Sequence, residues 1–135
     1  PAIKKLLKDD RAIRYVIKDF PILGPQSEIA SRAALAIWHM FPEKHQAYHD
    51  EMMSIRGTID EESVVSKAKM LGIDTKLLKK AMADKHIDSL LAKNFSLAKA
   101  LNINGTPAFI IGDQIVPGAV DLSTLKKLVA EARKK

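Results

Sequence analysis

Four histidines and no cysteine set the chemical repertoire of this 135-residue chain. His45 and His49 stand four residues apart, the spacing at which one helix face can offer two imidazoles to zinc. A metalloprotease would carry its general-base glutamate directly after the first of them, and Gln46 stands there instead. An amide cannot act as that base. Asp50 and Glu51 point to other faces and supply no third ligand, so the pair reads as solvent-exposed and no metal is expected. His39 follows Trp38, and His86 lies between Asp84 and Asp88; without a nucleophile elbow these read as packing or surface residues. Neither a phosphate-binding glycine loop nor a Rossmann fingerprint is present, so no cofactor is expected. Met40, Met52 and Met53 read as adaptable core filling rather than a peptide-binding surface.

Gly105-Thr106-Pro107 has a chemical use that needs no ionisable group. For an X-Pro bond the cis form costs only about 0.5–1 kcal/mol. A cis proline turns the chain and leaves the backbone groups of the preceding residue free to bond an extended substrate strand. The plain alternative is a trans proline that merely begins a strand. Ala108-Phe109 and the Gly112-Asp113 hairpin turn behind Pro107 favour cis, with Gly105, Thr106 and Pro107 as the substrate-binding residues.

Several elements must hold that turn in place. Ile3, Leu6 and Leu7 have helical spacing, and Pro1 suits a first helical turn. Arg11 to Phe20 is rich in β-branched and aromatic residues and ends at Pro21, which predicts a buried strand. After Gly24-Pro25, Ser27 and Glu28 open an alanine-rich helix through Phe41, whose small side chains imply close packing. A second helix runs from Pro42 to about Ser54. Asp60-Glu61-Glu62 opens a third, ended by Gly72. From Asp74 to Leu101 the apolar stripe keeps a 3.6-residue rhythm, so one long or slightly broken helix is expected, four in all. Ala108–Ile111 and Gln114–Pro117 then form a hairpin, and Asp121 caps a last amphipathic helix.

Composition bounds the rest. One domain's length, 47% hydrophobic and 28% charged residues describe an ordinary folded chain, and no apolar run approaches the roughly 20 residues of a membrane span. The net charge of +6 would allow contact with nucleic acid or an anionic membrane. The lysines are scattered over separate elements, however, and solvated helix faces explain them; no nucleic-acid partner is expected. No leader addresses the chain to a compartment, and its start at Pro1 rather than methionine suggests a processed form or a fragment.

Four stretches together resemble the DsbA-like branch of the thioredoxin-fold thiol-disulfide oxidoreductases. They are Gly105 to Phe109 with Ile110 to Asp113 and Val116 to Ala119; Lys18 to Gly24 with Ser27; Trp38 through Tyr48-His49-Asp50; and Ala98 to Ile103. The resemblance covers nearly the whole chain. It implies an α/β, thioredoxin-like fold with an inserted all-helical subdomain: core residues 1–26 and 104–135, helical insertion 27–103. It also implies extended, cysteine-containing polypeptide substrates and a periplasmic or other extracytoplasmic location. In that family a Cys-x-x-Cys pair opens the first helix, where the helix dipole favours the thiolate. Here the pair would fall just before Pro1, together with the strand that precedes it, so the fold is read as N-terminally incomplete and the chain has no catalytic residue of its own.

Two functions fit. One is the C-terminal, substrate-holding part of a disulfide oxidoreductase or isomerase; the alternative is a redox-inactive thioredoxin-like module that only binds peptides. The missing strand would lie between Ile13 to Phe20 and Ala108 to Ile111. Those segments are expected to stay apart, with the gap filled by an N-terminal piece or by a second copy in a homodimer.

Overall fold

The computed structural model describes residues 1–135, which form two compact units. One comprises Asp19–Ala98, the other Pro1–Lys18 with Lys99–Lys135. No helix is long and apolar enough to cross a membrane.

The Asp19–Ala98 unit is entirely helical: α2 (Pro25–Met40), α3 (Pro42–Met53), α4 (Glu61–Met70), α5 (Thr75–Met82) and α6 (Lys85–Ala100), whose last residues extend past it. Proline opens α2 and α3, where its missing N–H costs no helical bond. Asp60 and Ser63 form a reciprocal capping box on α4, and the Asp74 carboxylate accepts from Lys76 and Leu77 at the start of α5. Ala33, Ala34 and Ala36 let α2 run close to its neighbours, and its stripe buries Ile37 completely. Tyr48, Val64, Ala68 and Leu78 close the same cluster, also fully buried. Each large side chain removed from water there contributes about 1.5–3 kcal/mol. Arg32 ties the surface of this core together, bonding Glu28 at 3.1 Å, the Met82 carbonyl at 3.2 Å, and Asp88. The Lys44 ammonium donates to the carbonyls of Leu71 (3.0 Å) and Gly72 (3.4 Å), just past the end of α4.

The expected single helix from Asp74 to Leu101 is two, making five helices rather than four. Asp84 is the cause: its carboxylate accepts from the His86 N–H at 2.8 Å and restarts the chain as α6. Asp19 and Phe20 belong with the helices because the Asn94 amide donates to the Asp19 carbonyl (2.9 Å) and Phe95 packs edge-on against Phe20, centroids 5.2 Å apart.

The other unit contains α1 (Ala2–Asp9), the antiparallel strands β1 (Ala108–Ile111) and β2 (Gln114–Pro117), and α7 (Leu122–Arg133). Register runs from Ala108 opposite Pro117 to Ile111 opposite Gln114. Gly112 turns the hairpin at φ +61°, and a Cβ there would sit 3.0 Å from the Ala132 Cβ on α7. Helices α1 and α7 pack on each other, each burying one leucine, Leu6 and Leu125. Ion pairs flank them: Lys126 to Asp9 at 2.9 Å, and Arg133 to both oxygens of Asp10 at 2.7 and 3.0 Å. These cations hold the Asp9 and Asp10 carboxyls below the usual carboxylate range, chiefly through the bonds from Lys126 and Arg133.

The strand expected over Arg11 to Phe20 does not form. The sheet has two strands only, and no ladder joins residues 13–18 to β1. The segment is not buried either; Tyr15 and Val16 are 40% and 52% exposed. Its β-branched residues satisfy a preference that only a hydrogen-bonding neighbour can turn into a strand.

Candidate functional site

The Thr106–Pro107 peptide bond is cis. The Pro107 carbonyl accepts from the Gly118 N–H at 2.9 Å, which closes the hairpin's open end one step beyond the Ala108–Pro117 pair. Gly118 turns away at φ +78°. Thr106 lies outside the ladder, exposed, and its own N–H and C=O make no hydrogen bond within the chain. This leaves a backbone donor and acceptor open to solvent on the cis turn, free to bond a ligand.

A cleft of about 350 Å³ opens beside them. Gly105, Thr106 and Pro107 all line it, with Asn102, Ile103 and Asn104 on one side and Ile115 and Pro117 on the other. None of its lining side chains is charged, and no residue of α1 contributes to its wall. Asn102 adopts φ +55° and bonds back to Lys99, so the chain leaves α6 in a fixed direction toward Gly105. The cleft can therefore take an apolar side chain while Thr106 pairs with the backbone of an extended segment.

The histidines fall out differently from expectation. His45 is buried, not solvent-exposed: α2 and α3 bring the Trp38 indole edge-on over it, centroids 5.3 Å apart. Burial, aided by His49, lowers its pKa. His49 is half-buried, and no three His, Asp or Glu side chains converge as a metal site. His39 and His86 are exposed as anticipated, but they also face each other at 5.1 Å across a second cleft of about 270 Å³ with Asp84. Their separation of 47 positions gave no sequence signal of that meeting. Asp19 was also missed as a chemical group: burial pushes its carboxyl up to about 6, against the opposing pull of a hydrogen bond from Ser31. Of the three methionines, Met40 and Met52 pack on the helical core, whereas Met53 is 75% exposed.

A cis proline opening an antiparallel hairpin, a closing helix behind it and a helical unit together define a thioredoxin-like fold. Solved structures share this fold. The chain is 36% identical to a thioredoxin-like oxidoreductase from Silicibacter pomeroyi, with 99% of this chain and 76% of that one covered and a TM-score of 0.93. It is 35% identical to the thiol-disulfide exchange protein alpha-DsbA2 of Wolbachia pipientis (96% and 70% covered, TM-score 0.88). It is 28% identical to a periplasmic thioredoxin-like protein of Salmonella enterica (100% and 75% covered, TM-score 0.87). Residues 2–130 match the DSBA-like thioredoxin domain family, and the chain belongs to it. Among curated proteins it is 25% identical over 140 residues to the Na(+)/H(+) antiporter NhaA 1 of Salinispora arenicola, spanning 98% of this chain and only 20% of that protein's length. It covers 64% of a probable disulfide bond formation protein D of Bacillus anthracis, at 23% identity over the whole of this chain.

Proposed function

We propose that these residues are the substrate-holding part of a DsbA-like thiol-disulfide oxidoreductase, with Gly105, Thr106 and Pro107 binding an extended, cysteine-containing polypeptide. The observation that carries this reading is the exposed, unpaired backbone of Thr106 beside an uncharged cleft. A substrate strand would accept from the Thr106 N–H and donate to its C=O, and so lie along the turn. With no cysteine among the 135 residues, no thiolate forms here, and the sulfur chemistry of exchange belongs to a dithiol outside them. On this reading the helices from residue 27 to 103 are an insertion in the thioredoxin-like core, and the location is extracytoplasmic, as for the periplasmic Salmonella protein. The free edge of β1 would receive a strand from outside residues 1–135 or from a second copy.

The same lack of cysteine favours a second reading, a peptide-binding module without redox activity. Two measurements separate them. Fluorescence anisotropy of a labelled extended peptide should report binding by the 135-residue chain, weakened at least several-fold by Thr106→Pro, which removes the donor. Insulin reduction by the same chain should be nil. Equal peptide affinity in wild type and Thr106→Pro would remove Thr106 from the function. A Cys-x-x-Cys in the reading frame upstream of Pro1 decides for the oxidoreductase, and its absence for the module.

A further inference from the structure

The chain's positive charge is not shared between the two units. Asp19–Ala98 holds ten Lys and Arg against eleven Asp and Glu, a net of −1; Pro1–Lys18 with Lys99–Lys135 holds twelve against five, a net of +7. The whole excess of +6 therefore lies on the unit that carries the Thr106 cleft. Its five acidic groups are all engaged already. Asp9 meets Lys5 and Lys126, Asp10 meets Arg133, Asp113 meets Lys135, Glu131 meets Lys127, and Asp121 caps α7. Lys8, Arg11, Arg14, Lys18, Lys99 and Lys134 are left exposed without an acidic partner. The cleft itself is lined by no charge, and Ile115 on its wall is 43% exposed.

We infer that the substrate class is an extended polypeptide with an uncharged, apolar side chain at the Thr106 cleft and acidic residues flanking it, drawn in by this unit's unpaired cations. The inference rests on the reading of Thr106 as a substrate-binding residue and adds the chemistry of the substrate. An uncharged cleft on a unit of net charge +7 admits an apolar group without desolvating a charge, while the unit's field attracts acidic flanks over a longer range. Such a field acts mainly on encounter and on choice among partners, and salt screens it.

The test uses the 135-residue chain and three labelled peptides with one apolar centre and Asp/Glu, Ser or Lys flanks, read by anisotropy. At about 10 mM ionic strength the acidic peptide should bind about tenfold tighter than the serine peptide and the lysine peptide weakest, and at about 0.5 M the three should converge. The triple variant Arg11→Gln, Arg14→Gln, Lys99→Gln should narrow the acidic-to-serine ratio, with circular dichroism verifying its fold. A second triple variant on the other unit, Lys76→Gln, Lys79→Gln, Lys80→Gln, should leave the ratio as it is. Equal affinities at low salt, with the serine peptide still sensitive to Thr106→Pro, would overturn the acidic substrate class and leave the peptide site standing. Failure of all three peptides to bind would remove both. Binding of phosphatidylglycerol vesicles without preference among the peptides would reassign the charge to a membrane surface and overturn the inference.

Discussion

The two units reach stability by different routes. Asp19–Ala98 is close to electroneutral and closes its helices around thirteen buried residues, from Ala33 through Leu91. The other unit buries only Leu6 and Leu125, carries the whole of the excess charge, and clamps α1 to α7 with ion pairs at the surface. Apolar burial outweighs exposed ion pairs by a wide margin, so the helical unit should dominate the measured stability. The division also suits the roles proposed for them. A thinly packed unit keeps backbone groups and cations available for a ligand, whereas a closed core has none to offer.

The largest effect should come from the helical core. Leu78→Ala empties a fully buried site among α2, α4 and α5 and should cost about 3–4 kcal/mol by urea denaturation followed at 222 nm. Leu125→Ala, outside the large buried cluster, should cost about 2–3 kcal/mol. A larger loss for Leu125 would reverse the ranking of the units. Next comes Gly112→Ala, which combines a left-handed φ with a 3.0 Å approach to Ala132; a loss of about 1–2 kcal/mol is expected, and cross-peaks of the hairpin and α7 should shift while those of α2 to α5 stay in place.

Asp19 offers a pH test confined to the helical unit. Its folded pKa, about 6, exceeds its unfolded value of about 3.9, so the native state binds the extra proton and stability falls as pH rises between those values. The penalty is complete above pH 6. Asp19→Asn should therefore stabilise by about 1–2 kcal/mol at pH 7 and by nothing below pH 4, measured as the difference between the two denaturation curves at each pH. The carboxylates of the other unit behave oppositely: Asp9 and Asp10, lowered by Lys126 and Arg133, lend stability that is lost only as pH falls through their folded pKa values. The smallest effect belongs to that clamp. Arg133→Gln should lower the melting temperature slightly in low salt, and molar salt should erase the difference; a decrease that persists in high salt would show that packing by the arginine stem, not charge, holds α7.

Much of this was legible in the sequence. Pro42, Asp60 and Asp121 marked the starts of α3, α4 and α7, and Gly112-Asp113 the hairpin turn, whereas α2 begins at Pro25 with no side-chain cap rather than at the expected Ser27. What escaped depends on partners distant in sequence. Residues 11–20 have strand-forming side chains but no neighbour to pair with. His45 looked exposed from its polar surroundings on α3, and its cover, Trp38, stands on another helix. Asp84 did leave a local sign, a carboxylate two residues before a free N–H, but the apolar rhythm running through it masked the break. The charge asymmetry was present in the composition throughout; it emerged only when the fold divided the chain at residues 18 and 98.

Lys44 is one of few lysines with its amine committed inward, bonded to the Leu71 and Gly72 carbonyls and 5.8 Å from the centre of the Phe41 ring. An amine held this way must leave its carbonyls before it can meet an acylating reagent, so its acylation is slowed by the fraction of time it spends bonded to them. Exposed lysines such as Lys8 and Lys99 need no such release. The ratio of the two rates, read peptide by peptide in a mass spectrometer, reports how firmly the Lys44 amine is held at the end of α4.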